Sequence, residues 1–375
     1  MRIILSGGGT MGPVTPLLAV AEELGTKDSG PGTREINELL WIGTHKGPER
    51  EYVERAGIRF RTILSGKLRR YWSWWNIIDP LFILAGFIQS LILILRWRPD
   101  AIVSAGGYVS VPLVWAGWIL GIPSVIHQQD VLPLLAVRLM APFARTITVA
   151  FPETAKRFHG LDHGTGGRVE VIGNPVRRFV EVVRANRERL RVEGLRHFGL
   201  SADRLVVLVF GGGTGSKTLN DFIGATAAEL LAAAQVIHVT GKGKRGIGKQ
   251  AGLYETEFLK DDLPLAYAVA DLVVSRAGIG SIAELSAVGL PTILVPIPNS
   301  HQEANADYVH KRDAAVVVRE DDRFYQTLLS GIKNLLNDPG RRSELCNKIH
   351  ALLPSSSCAR FADIILRVAR GEKKK

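Results

Sequence analysis

Short runs of branched apolar residues alternate with helix-length segments along the chain. This is the pattern of parallel strands buried on both faces beneath covering helices. In the first half the runs predict strands at Arg2–Ser6, Leu39–Gly43, Arg59–Leu64, Ala101–Ser104, Ser124–His127, Thr146–Val149 and Glu170–Ile172. In the second half they predict strands at Leu205–Phe210, Val236–Thr240, Leu272–Ser275, Thr292–Val295 and Ala315–Val318. Two runs end in glycine clusters, Ser6-Gly7-Gly8-Gly9-Thr10-Met11-Gly12 and Gly211-Gly212-Gly213-Thr214-Gly215-Ser216, each leading into a helical segment. A strand, a tight glycine turn and a helix bring backbone N–H groups and a helix N-terminus up to a phosphate or another polar group. Two such openings predict two α/β domains facing each other with a ligand between them. The turn-rich Gly173-Asn174-Pro175-Val176-Arg177 marks the crossing. The expected domains are 1–174 and 175–357, with a helix over 358–371 packing back on the first. Residues 27–35 read as a polar, glycine-rich loop and Glu372–Lys375 as a frayed tail.

One apolar stretch breaks the alternation. Ile77 to Leu95 is preceded by Lys67-Leu68-Arg69-Arg70-Tyr71-Trp72-Ser73-Trp74-Trp75 and closed by Arg96-Trp97-Arg98. It is long enough to cross a bilayer, although Asp79, Pro80 and Gln89 interrupt it. Tryptophan and basic residues on both flanks are an interfacial signature. A spanning helix would leave the Ala101 strand awkwardly placed, since it belongs to one sheet with Leu39. The segment is therefore expected to lie in or against a membrane face, with an ordinary domain-core helix as the alternative.

Composition narrows the partners. The 375 residues suit two domains, and 46% hydrophobic with 22% charged residues excludes a disordered chain. A formal net charge of +11 favours nucleic acid, an anionic membrane surface or phosphorylated ligands. No nucleic-acid-binding signature is present, and basic residues beside the apolar stretch favour the membrane. Two cysteines, Cys346 and Cys358, fit a reducing cytoplasm better than a disulfide scaffold. The nine histidines suggest no metal cluster; His159 and His163 lie in a glycine-rich polar stretch that reads as a loop. Neither a metal nor a cofactor is expected. The run from Met1 to Leu5 leads directly into the glycine turn, so no signal peptide is expected.

Further motifs fall at predicted strand ends, where open α/β sheets bind ligands. Ala105-Gly106-Gly107-Tyr108-Val109-Ser110 is a tight strand–helix turn whose small residues also let a ligand approach the backbone. His127-Gln128-Gln129-Asp130 ends the next strand. Ser275-Arg276-Ala277-Gly278-Ile279-Gly280-Ser281-Ile282-Ala283-Glu284 opens a helix whose N–H groups suit a pyrophosphate. Glu284 suits a ribose diol, since an ionised carboxylate accepts from both hydroxyls, or else it compensates the helix dipole. Pro296 to Asn305 carries His301, Gln302 and Glu303, polar groups of the kind that grip a sugar.

Taken together these residues resemble the MurG family of peptidoglycan N-acetylglucosaminyltransferases, enzymes of glycosyltransferase family 28 with the GT-B fold. The likeness runs from Gly8 to about Asn337. It is carried by Gly8-Gly9-Thr10 with Pro16 and Leu18 to Ala21, Gly106 to Ser110, Gly121-Ile122-Pro123 leading to His127, and Gly173 to Arg177. It continues through Gly211-Gly212 with Gly215 and Asn220, Thr240 to Gly243, Arg276 to Glu284, Gly289 to Pro291, and Gln302 with Asn305-Ala306. The resemblance implies an α/β fold of two Rossmann-like domains with a cleft between them. It implies inverting transfer of GlcNAc from UDP-GlcNAc to lipid I (undecaprenyl-pyrophosphoryl-MurNAc-pentapeptide), giving lipid II, by an enzyme peripheral to the cytoplasmic face of the plasma membrane. Leu259 would offer backbone bonds to uracil. Gly278, Ile279, Gly280, Ser281 and Ile282 would hold the phosphates, Glu284 the ribose and Gln302 the sugar; Gly213 and Ala277 would also line the substrate, and Arg177 would reach the nucleotide from the domain edge. Thr10, Met11, Gly12 and Asp130 would stand on the acceptor side.

The sequence departs from the family pattern on that side. Where the family has Gly-Gly-Thr-Gly-Gly-His, Met11 replaces a glycine and Pro13 the histidine. The family's His-Glu-Gln-Asn is His127-Gln128-Gln129-Asp130, and a serine of the second glycine turn is Gly213. Asp130 is the first candidate for the base lost with the histidine, and His127 the second. Two alternatives remain: a UDP-sugar transferase with another lipid or glycan acceptor, and an inactive nucleotide-sugar-binding homologue. A redox dinucleotide enzyme fits poorly, because the expected acid falls at Glu22 and Glu23, inside a helix.

Overall fold

A computed structural model describes residues 1–26, 38–66, 75–158, 168–213 and 215–372. The basic, Trp-rich flank at 67–74, the loop at 27–35, His159, His163, Thr214 and the tail at 373–375 lie outside the described residues. The rest forms two units, Met1–Arg177 with Pro354–Lys375, and Arg178–Leu353.

The first unit carries β1 (Arg2–Ser6), β2 (Glu38–Gly43), β3 (Arg59–Thr62), β4 (Ala101–Ser104), β5 (Ser124–Gln128), β6 (Thr146–Val149) and β7 (Arg168–Val171). They form one parallel sheet in the order β3-β2-β1-β4-β5-β6-β7. Successive side chains on a strand point to opposite faces, and both faces here are covered. Ile3, Leu5, Val103 and Val125 pack under the helices Val14–Thr26 and Ser357–Ala369. Ile4, Ile102 and Ile126 pack on the other side with Val111, Leu113 and Ile94. The last helix of the chain thus completes the first unit, burying Phe361 and Ile365 beside Leu17 and Val20. Its Arg367 pairs with Glu170 of β7 at 2.5 Å.

The second unit carries β8 (Val206–Phe210), β9 (Gln235–Val239), β10 (Leu253–Thr256), β11 (Leu272–Arg276), β12 (Thr292–Val295) and β13 (Val316–Val317). They form a parallel sheet in the order β10-β9-β8-β11-β12-β13. Val207, Val209, Val274 and Ile293 meet Phe222 and Ile223 of the helix Lys217–Ala233 and Leu328 and Ile332 of the helix Phe324–Asn337. β10 is absent from the sequence expectations. It is an edge strand whose four residues are all half-buried, so it lacks the continuous apolar run that marks the central strands.

In both units the strand order reverses beside the first strand, between β1 and β4 and between β8 and β11. Loops at the carboxyl ends of such a strand pair diverge and leave a crevice, the ligand position of doubly wound sheets. The four glycine-bearing turns of the sequence fall at these two points.

Candidate active site

In the second unit the turn after β8 starts at Gly211 and ends at Ser216, whose hydroxyl caps the helix Lys217–Ala233 by accepting from the Leu219 N–H at 3.3 Å. Gly215 adopts φ +69°, and a Cβ there would fall 2.3 Å from the Thr240 carbonyl oxygen. Only glycine lets the turn approach β9 so closely. Gly213 is exposed. After β11, the helix Ile279–Val288 begins with Gly278 in an extended conformation. No acidic residue lies in its first turn, so its N-terminal partial positive charge is left for an anion. Ala277, Ile279 and Ile282 are buried, while Gly280 and Ser281 are partly open.

Glu284 sits in the second turn of that helix, 7% exposed, and accepts a 2.7 Å hydrogen bond from the Tyr267 hydroxyl. Gln302 belongs to the helix His301–His310 beyond β12, capped by the Ser300 hydroxyl. Its Oε1 accepts from the Ile297 N–H at 3.2 Å, and its Nε2 lies 3.9 Å from where a Gly278 Cβ would be. Asn305 donates to the Ala277 carbonyl at 3.2 Å. The structure therefore brings Gly278 and Gln302 together beyond the carboxyl ends of β11 and β12, with Glu284 in the second turn of the helix that Gly278 opens. Leu259 follows β10 with its side chain buried, which leaves backbone groups as its means of contact.

Sequence reasoning gave Arg276 no role in the site. The side chain is buried and donates from Nε to the Ser216 hydroxyl at 3.0 Å and from Nη1 to the Val295 carbonyl at 3.2 Å. Nη1 also bonds the Glu320 carboxylate, whose other oxygen accepts from the Thr218 hydroxyl at 3.0 Å. One guanidinium thus ties the turn after β8 to the ends of β11 and β12. His238 was also missed. Its ring bridges Glu255 at 2.8 Å and Asn220 at 3.0 Å, and burial pushes its pKa down. Glu255 in turn accepts the N–H groups of Ile247 and Gly248 at 3.2 and 2.9 Å, fixing the loop after β9.

In the first unit, Thr10 and Gly12 are exposed and Met11 is half-buried. The Met11 carbonyl accepts from the N–H groups of Val14 and Thr15, both at 3.1 Å, and so starts the helix Val14–Thr26. The turn after β4 lies against it. Gly107, at φ +92°, packs on Gly8, with a Cβ position 3.0 Å from the Gly8 carbonyl. Ser110 bonds Ser6 at 2.9 Å.

The end of β5 differs from its sequence reading. His127 is fully buried, with Nδ1 3.0 Å from Thr148 Oγ1 and Nε2 3.2 Å from Asn174 Oδ1. The Phe361 ring lies nearby, tilted by 40° at 5.2 Å between centroids. Burial drives its pKa down to about 4, against smaller opposing effects of its hydrogen bonds. A neutral, enclosed imidazole with both nitrogens engaged ties β5 to β6 and to the Gly173–Arg177 turn. Gln128 has become a turn staple: its Nε2 donates to the carbonyls of Asp130 and Leu132 at 2.9 and 3.1 Å, and its Oε1 accepts from Leu134 at 3.4 Å. Asp130 follows in the turn, 6% exposed. Arg177 ends the first unit, partly buried. Among the described residues no group of three or more His, Cys, Asp or Glu side chains is placed to hold a metal ion.

Two doubly wound units, each with glycine turns at its switch point, define a two-domain α/β protein of the Rossmann-like type. The chain belongs to glycosyltransferase family 28: residues 3–149 match its N-terminal domain and residues 206–359 its C-terminal domain. It is 36% identical over 361 residues to a Geobacillus kaustophilus protein, covering 94% of this chain and 95% of that one. It is 35% identical over 340 residues to a Clostridium kluyveri protein, covering 89% and 91%. Both relatives are named UDP-N-acetylglucosamine–N-acetylmuramyl-(pentapeptide) pyrophosphoryl-undecaprenol N-acetylglucosamine transferase. The crystal structure of Acinetobacter baumannii MurG superposes with a TM-score of 0.71 at 22% identity, covering 98% of this chain and 99% of that one. That likeness establishes the GT-B fold.

Proposed function

We propose that this glycosyltransferase moves GlcNAc from UDP-GlcNAc to lipid I with inversion, forming lipid II. The observation that carries the reading is near full-length similarity to relatives of that name, joined to a second unit with Gly278, Glu284 and Gln302 at one switch point. The nucleotide diphosphate lies on the N-terminus of the helix Ile279–Val288, with Gly213 and Ala277 to Ile282 around it. Leu259 offers its backbone to the uracil, Glu284 accepts from the ribose, Gln302 from the sugar, and Arg177 reaches the nucleotide. As the acceptor hydroxyl attacks the anomeric carbon, the bond to the diphosphate breaks and UDP departs. The hydroxyl proton passes to a base, for which Asp130 is our candidate, with Thr10, Met11 and Gly12 on the acceptor side. Charge developing on the leaving diphosphate is met by fixed N–H dipoles, so the step needs no bound metal.

The first unit serves as the membrane-facing part, peripheral to the anionic cytoplasmic surface. Supporting this, the helix Trp75–Trp97 leaves Leu81, Leu84, Ile88, Ile92 and Leu95 exposed along one stripe, and Trp118 and Ile119 of a neighbouring helix are exposed as well. By length and composition its Asp79–Trp97 portion suffices to cross a membrane. However, the opposite side docks on the first unit, with Ile94 in its core and Phe87 and Leu91 packed against it. Gln89 also accepts from the Leu64 N–H of that unit at 2.7 Å. A helix used this way lies along the membrane.

The test is product formation from UDP-GlcNAc and a lipid I analogue. Lipid II analogue must appear, and Glu284→Gln must weaken UDP binding roughly tenfold to a hundredfold, the range for hydrogen bonds to a charged group. UDP release with other acceptors but none with lipid I would favour a different acceptor, the reading suggested by Pro13 and by Gln128 acting as a staple.

A further inference from the structure

One N–H of the first glycine turn is taken by a carboxylate of the chain itself. Glu49 opens the short helix Glu49–Arg55 and is completely buried. One carboxylate oxygen accepts from the Thr44 N–H at 2.6 Å and from the Thr44 hydroxyl at 2.5 Å; the other accepts from the Gly9 N–H at 3.3 Å. The turn is shaped around it. A Cβ on Gly8 would stand 2.3 Å from the Glu49 carboxylate, and one on Gly47 1.9 Å from it. On the other side Tyr108 covers Gly9, 2.8 Å from its Cβ position. Burial, then the Glu49 charge, raise the Tyr108 pKa, so the phenol stays neutral beside the carboxylate.

A buried carboxylate is expensive unless its oxygens are well bonded. Among the described residues no Lys, Arg or His forms an ion pair with Glu49. The donors are Thr44 and Gly9, so the interaction orders these two loops and, through Gly9, the turn Thr10 to Gly12. We propose that Glu49 is a positioning residue for the acceptor side: its carboxylate, bonded to the Gly9 N–H and to Thr44, fixes the first glycine turn, and with it Thr10 to Gly12, in the arrangement that receives the acceptor. The inference rests on the transferase reading given above.

The experiment compares Glu49→Gln with wild type in steady-state assays that vary UDP-GlcNAc and a lipid I analogue separately, with UDP affinity from calorimetry. A misplacement of about 1 Å costs on the order of a hundredfold in rate. Glu49→Gln should therefore lower kcat/KM for the acceptor by roughly tenfold to a hundredfold, while UDP affinity stays within about twofold and Glu49→Asp recovers part of the loss. Unchanged acceptor kinetics in a folded Glu49→Gln protein would overturn the inference, as would an equal loss of UDP affinity, which marks general destabilisation. Should Glu49→Gln fail to fold, Thr44→Val removes one donor while keeping the carboxylate; acceptor kinetics must then fall with UDP affinity preserved, and an unaffected Thr44→Val defeats the idea. A wild-type protein without turnover on the lipid I analogue would instead sink the transferase reading, so the two failures are distinct.

Discussion

His127 shows how a polar residue at a strand end can be spent on architecture. Its ring joins β5 to β6 through Thr148 and to the Gly173–Arg177 turn through Asn174. Its folded pKa of about 4 lies below the ordinary histidine value of 6.5. A depressed pKa means that the unfolded chain binds the proton first as pH falls. The stability the neutral ring provides is complete above about pH 6.5 and is lost progressively toward pH 4. At 1.36 kcal/mol per unit this amounts to about 3 kcal/mol. Denaturant titrations of the wild type and of His127→Gln between pH 7 and pH 4 check it: the wild type should lose stability over this window and the variant should follow a flatter curve. An equally steep variant would show that other groups, such as His238, carry the acid sensitivity. At this scale the sequence was only partly legible. Glycine turns, Glu284 and Gln302 announce themselves by type and spacing. Glu49, the His127–Asn174 contact and the Arg276–Ser216 bond join residues 40, 47 and 60 positions apart, and no local pattern encodes such pairings.

The strands were legible as elements because a buried parallel strand must be apolar on both sides. β1, β4, β6 and β12 span the residues their Val, Ile and Leu runs indicate. β10 escaped for the opposite physical reason, being a half-buried edge of only four residues. The helix Trp75–Trp97 was visible as an apolar run, but which of its residues face the sheet is set by packing. Gly86 decides part of it, since a Cβ there would meet the Leu64 carbonyl oxygen at 1.8 Å. The stripe from Leu81 to Leu95 is what remains outward. Burying one such side chain is worth roughly 1.5–3 kcal/mol. Leu84→Glu with Ile88→Glu should therefore reduce binding to vesicles containing anionic lipid by well over about tenfold, while UDP binding is untouched. Sedimentation with vesicles measures it, and full retention by the double variant would remove this stripe from the membrane contact.

At the scale of the whole molecule, the chain crosses from the first unit to the second at Arg177 and returns at Pro354. The return supplies the helix Ser357–Ala369, whose Phe361, Ile364, Ile365 and Val368 are buried in the first unit's core. At roughly 1.5–3 kcal/mol for each of these side chains, their burial rivals the whole stability of an ordinary domain, about 5–15 kcal/mol. The second unit keeps its own core from Val207 to Leu345 without that helix. A chain ending at Leu353 should therefore lose the first unit's cooperative melting transition and leave the second unit's in place. Because Gly278, Glu284 and Gln302 all lie between Arg178 and Leu353, UDP should still raise the surviving transition. At a hundredfold excess over its dissociation constant that stabilisation is about 2.7 kcal/mol. Differential scanning calorimetry of the full and shortened chains, each with and without UDP, reads both effects at once. If UDP no longer moves the remaining transition, nucleotide binding needs the first unit intact, and the donor site cannot be assigned to the second unit alone.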